Sequence, residues 1–61
     1  MRLNFKIFSV VTAHGEDCKI PFKYEKDGPE YYECTEAGTN RGTWCATTVK
    51  NDLTYDDWDW C

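Results

Sequence analysis

Hydrophobic positions alternate with polar ones over short runs in this chain, and no stretch repeats them at helical spacing for long enough to predict a helix. In residues 1–12, Leu3, Phe5 and Ile7 alternate with Arg2, Asn4 and Lys6, the period of a half-buried strand. The rival for this run is a secretion signal, with Arg2 as its charged start and Val11-Thr12-Ala13 as a cleavage site. Asn4 and Lys6 interrupt the ~7–15 apolar residues that such a signal needs. Strand is therefore the preferred reading. Ala13 to Asp17 reads as a turn. Ile20, Phe22 and Tyr24 then alternate with lysines, and Pro21, which has no N–H, makes this an edge strand or a bend. Glu25 to Pro29 is a hairpin turn by its Asp27-Gly28 pair, and Glu30 to Thr35 is a second short strand. Residues 36–42 form a loop with two glycines. Thr43 to Val49, rich in β-branched residues, is a third strand, and Lys50 to Thr54 is another turn. Along the last segment Trp58 and Trp60 share one face of an extended backbone, while Asp57 and Asp59 take the other.

Size changes what this pattern can support. A chain of 61 residues is one domain at most, and it buries only about 60% of its unfolded surface. Such scaffolds need staples. Cys18, Cys34, Cys45 and Cys61 supply two disulfides, with three possible connectivities. The gaps of fifteen, ten and fifteen residues are far from the two-to-four-residue spacing of a zinc knuckle. Stable disulfides imply an oxidising compartment, so the expected location is secreted or extracellular.

The net charge is −4, and it is uneven. Residues 1–24 are net basic and residues 25–61 net acidic, with no basic patch to suit nucleic acid. Ser9 is the only serine and His14 the only histidine. No nucleophile–base pair can be drawn, so the chain reads as no enzyme and calls for no cofactor. His14, alone in a polar loop, reads as solvated. Asp52, Asp56, Asp57 and Asp59 fit no calcium-loop spacing and read as a solvated acidic rim, leaving no metal site. Three tryptophans, four tyrosines and three phenylalanines exceed what so small a core can bury. Some must lie at the surface, where aromatic clusters mark binding sites. Phe22 and Tyr31 are assigned to the core. Trp44, beside a cysteine, reads as core as readily as ligand contact.

Several motifs stand in a telling order: Cys18-Lys19-Ile20-Pro21-Phe22-Lys23-Tyr24; then Gly28, Tyr31, Cys34, Thr35 and Gly38; then Trp44-Cys45-Ala46-Thr47-Thr48; and last Trp58-Asp59-Trp60-Cys61. Residues 18–61 thereby resemble a fibronectin type II domain, leaving 1–17 as an N-terminal extension expected to pair with the module's first sheet. The stretch from Tyr24 to Cys34 is about two residues longer than the common pattern. The aromatic-Asp pair frequent after Thr48 is replaced by Val49-Lys50-Asn51-Asp52, and Asp59 stands where glycine is usual.

The resemblance implies a small, disulfide-rich, mainly β, kringle-like module with two short antiparallel sheets and large loops. It implies disulfides Cys18–Cys45 and Cys34–Cys61. It also implies a pocket at Tyr24, Trp44, Tyr55, Trp58 and Trp60. The implied partners are collagen or gelatin-type peptides, or choline lipid head groups, bound by a monomeric module on its own or within a larger mosaic protein. Asp56, Asp57 and Asp59 are expected beside the pocket, where they would repel a phosphate and so tilt the reading toward a peptide. A small secreted toxin or protease inhibitor, presenting Arg41 at the tip of Thr39-Asn40-Arg41-Gly42, is the alternative.

Overall fold

The computed structural model describes residues 10–61, so the alternating run around Leu3, Phe5 and Ile7 lies outside the described residues. Four strands form among them: β1 (Phe22–Lys23), β2 (Glu30–Tyr31), β3 (Trp44–Val49) and β4 (Tyr55–Trp60). They make two antiparallel two-stranded sheets, β1–β2 and β3–β4. The first sheet is shorter than the alternation predicts. Before Pro21 the backbone already has other partners: Cys18 N–H donates to the Val10 carbonyl and Lys19 N–H to the Ala46 carbonyl, both at 2.8 Å. Pro21 itself offers no donor. Only two pairs remain, Phe22 with Tyr31 and Lys23 with Glu30. The Ile20–Pro21 bond is cis.

The second sheet carries two irregularities. Its register runs Trp44–Trp60, Cys45–Asp59, Ala46–Trp58, then slips to Thr48–Asp57 and again to Val49–Tyr55. Thr47 is the extra residue on β3 and Asp56 the extra residue on β4, so the two bulges compensate. Thr48 holds this region together: its Oγ1 accepts the Asp57 N–H at 3.0 Å and donates to the Asp57 carboxylate at 3.3 Å. The connecting turn closes through Lys50 N–H on the Thr54 carbonyl at 2.8 Å. Asp52 accepts from both the N–H and the hydroxyl of Thr54, which holds the Asp52 carboxyl below its ordinary pKa.

The core is small. Phe22, Trp44, Cys45 and Ala46 are its buried members, with Tyr31, Val49 and Tyr55 among those packed partly against it. Phe22 joins the sheets, since its ring lies 5.6 Å from Tyr31 and 5.3 Å from Trp44. Cys18 is bonded to Cys45 and Cys34 to Cys61, and the four sulfurs lie within 4.8 Å of one another.

Residues 10–17 form a tight loop closed by a bridge between Val11 and Asp17. It packs on the second sheet rather than the first, through Ala13 N–H on the Trp60 carbonyl at 2.7 Å. Thr12 is buried there, and its Oγ1 accepts the N–H groups of His14 and Glu16. No helix among the described residues is long and apolar enough to cross a membrane.

Candidate functional site

Strand alternation sets which side chains of the second sheet meet. Cross-strand partners share a face, so Trp44, Trp60, Ala46 and Trp58 lie on one side, and Cys45 and Asp59 on the other. Tyr55 is three residues before Trp58 and would face away on a regular strand. The bulge at Asp56 brings it back to the face of Trp58.

Trp44 is the centre of the arrangement. It is 5% exposed, and its indole N–H donates to the Ala37 carbonyl at 2.7 Å. Tyr24, Tyr55 and Trp58 stand around it at centroid distances of 6.1, 5.2 and 6.1 Å, each edge-on. Such pairs contribute about 0.5–1.5 kcal/mol each beyond their burial. Tyr24 also stacks on Tyr55, with rings 7° from parallel, and Trp58 meets Trp60 edge-on at 4.9 Å. Trp58 is 46% exposed and Trp60 37%. Trp44 is thus mostly core, showing an edge at the floor, whereas Trp58 and Trp60 show their rings to solvent.

These rings border an open cavity of about 330 Å³, at the small end of ligand sites. The sequence-predicted residues Tyr24, Trp44, Tyr55, Trp58 and Trp60 all line it. The remaining wall is the loop before β3, with Ala37, Gly38, Thr39 and Arg41. Gly38 has φ +76°, and a Cβ there would lie 2.5 Å from the Tyr24 ring. Only glycine lets this loop pass so close to Tyr24. Motif matching included Gly38 but gave it no part in the pocket. The alternative inhibitor reading puts Arg41 at an exposed loop tip, whereas Arg41 lines the aromatic cavity. The signal that could have found this wall is the indole N–H of Trp44: once buried, it needs an acceptor, and the loop just upstream is the nearest supply.

The acids are not where the sequence reading put them. Asp56, Asp57 and Asp59 are absent from the cavity lining. Asp57 and Asp59 follow the alternation to the opposite face, and Asp56 sits at the bulge. Asp59 accepts from the His14 ring Nδ1 at 2.7 Å and from the Trp60 N–H at 2.8 Å. The hydrogen bond to His14 is the main cause holding the Asp59 carboxyl below its ordinary value, with the hydroxyl of Thr12 helping. The same bond, with the attraction of the carboxylate, raises the His14 pKa above its ordinary 6.5. His14 remains largely solvated, its side chain 76% exposed. Among the described residues, the cluster close enough to hold a metal is the four cysteine sulfurs, and both pairs are disulfides.

Two short sheets crossed by two disulfides, with an aromatic cavity on one face of the second sheet, define a kringle-like mini-β module. The chain belongs to the fibronectin type II domain family, whose model matches residues 18–61. It is 54% identical over 42 residues to the 72 kDa type IV collagenase of Gallus gallus, covering 67% of this chain and 6% of that protein. It is 43% identical over 52 residues to the C-type mannose receptor 2 of Mus musculus and of Homo sapiens, covering 82% of this chain and 3% of each receptor. The receptor match is longer than residues 18–61, so the likeness reaches into the segment before Cys18. The chain therefore spans only a few per cent of the length of these relatives. No solved structure matches it.

Proposed function

We propose that this is an extracellular, non-catalytic binding module that takes a collagen- or gelatin-type peptide in the aromatic cavity. The observation that carries this is the pair of exposed indoles, Trp58 and Trp60, set over a buried Trp44. Rings already fixed by one another lose little entropy when a proline ring or an alkyl chain stacks on them. The similarity to a protein named for its action on type IV collagen supports the same choice. Choline lipid is less well served: Arg41 lines the cavity and no acid does, so a quaternary ammonium meets a like charge beside the rings that would attract it.

A cavity of about 330 Å³ holds one or two side chains of an extended peptide. Affinity from a single module is accordingly micromolar or poorer, about −8 kcal/mol or less in magnitude, and gains from repetition within a longer protein. The test is a titration with gelatin fragments followed by tryptophan fluorescence. A saturable change that Trp58→Ala abolishes supports the site; retention on gelatin that survives both Trp58→Ala and Trp60→Ala rejects it.

A further inference from the structure

The one charged side chain in the cavity lining is a donor. Arg41 presents a guanidinium with five N–H groups, and Trp58 and Trp60 each carry an indole N–H. Two acceptors on this wall are already engaged, while the Tyr24 and Tyr55 hydroxyls can either donate or accept. The Ala37 carbonyl takes the Trp44 indole N–H at 2.7 Å, and Thr39 Oγ1 takes the Arg41 backbone N–H at 3.1 Å. Two acids of β4 point elsewhere: Asp57 is tied to Thr48 and Asp59 to His14. The ion pair found among the described residues is His14–Asp59, so none of those residues neutralises Arg41. On a chain with a net charge of −4, the aromatic cavity has a single cation, Arg41, in its wall.

We infer that the cavity selects an extended peptide carrying a carboxylate side chain close to a proline, and that Arg41 is the residue that sets this preference. The inference rests on the aromatic cavity being the peptide site. The proline stacks on the rings of Trp58 and Trp60. The carboxylate meets the guanidinium in a charge-assisted, bidentate geometry that an amide cannot reproduce. Such a contact at a solvent-open rim is worth a several-fold gain in affinity, and it weakens as salt rises.

The experiment uses two single-stranded collagen-type peptides of Gly-Pro-rich sequence, identical except for one Glu or Gln beside a proline, titrated at low and at raised salt. Wild-type protein binds the Glu peptide about three- to tenfold more tightly at low salt, and the margin shrinks with salt. Arg41→Gln removes the margin while still binding both peptides. Arg41→Lys keeps part of it, and Arg41→Glu reverses it. The inference is overturned if wild-type protein binds both peptides equally, if the margin survives Arg41→Gln, or if phosphorylcholine binds more tightly than the Glu peptide. Trp58→Ala separates the two readings. It abolishes binding of both peptides if the cavity is the site; if it changes neither, the cavity reading fails whatever Arg41 does.

Discussion

Strand β4 has two faces that solve different problems. On one side Tyr55, Trp58 and Trp60 stand around Trp44 and leave much of two indoles in solvent. On the other, the Asp57 carboxylate accepts from Thr48, and that of Asp59 from His14 and the Trp60 N–H. The apolar face is the incompletely buried one, and the acidic face is the satisfied one. In a chain too small to bury ten aromatics, that inversion leaves apolar surface uncovered on one face, while Asp59 on the other ties the N-terminal loop to β4 through His14.

The largest perturbation erases both faces. Each disulfide closes a span of 27 residues and is worth about 3–4 kcal/mol on the chain-entropy account. Together they rival the whole stability of a domain this size. Reduction should therefore collapse near-UV CD and the tryptophan emission shift together; a native spectrum in reductant would show that the core suffices without its staples. Next comes Trp44→Ala, which empties the centre shared by both sheets. It should cost about 3–5 kcal/mol, read as a large fall in Tm or a failure to fold.

Trp58→Ala acts on one face only. It should weaken gelatin binding tenfold or more, while Tm falls much less than for Trp44→Ala; equal losses in both would mean that the indole is core. The smallest effect belongs to the acidic face. His14 has its pKa raised in the fold, so its contribution is full below about 6.5 and fades as pH rises through the shifted value. Asp59 has its pKa lowered, so its contribution is full above about 3.8 and fades as pH falls through the shifted value. His14→Asn should therefore lower Tm slightly, most between about pH 4 and 6.5, and not at alkaline pH. Gelatin binding should stay unchanged, and a parallel loss of binding would show that the two faces are coupled.

Much of this was legible in the residues. Alternation alone divided Trp58 and Trp60 from Asp57 and Asp59, and the motif around Trp44-Cys45 led to the family and its two-sheet plan. What stayed hidden depends on pairing partners. The short first sheet follows from Cys18 and Lys19 bonding to Val10 and Ala46, the second of these remote in sequence. The position of Tyr55 depends on a bulge that simple alternation contradicts. The acids were placed beside the cavity because they are neighbours of its tryptophans in sequence. A pleated strand sends such neighbours to opposite sides, and the reading of charge around the site changed sign when Arg41 proved to be the charged residue lining it.

The crossed disulfides also determine how the module carries mechanical load. Cys18–Cys45 and Cys34–Cys61 act as two knots, which sit side by side at rest with their sulfurs within 4.8 Å. Three lengths of chain run in parallel between them: Cys18 to Cys34, Cys34 to Cys45, and Cys45 to Cys61. The middle length is the shortest, with ten residues between its cysteines and eleven steps from Cα to Cα, so tension between Cys18 and Cys61 draws it taut first. With both knots intact, the extension stops at about 40 Å, the reach of that length fully stretched. That length contains Ala37, Gly38, Thr39 and Arg41, so a pull along the chain would straighten the cavity wall and part β3 from β4, whose paired ends lie at Cys45 and Cys61.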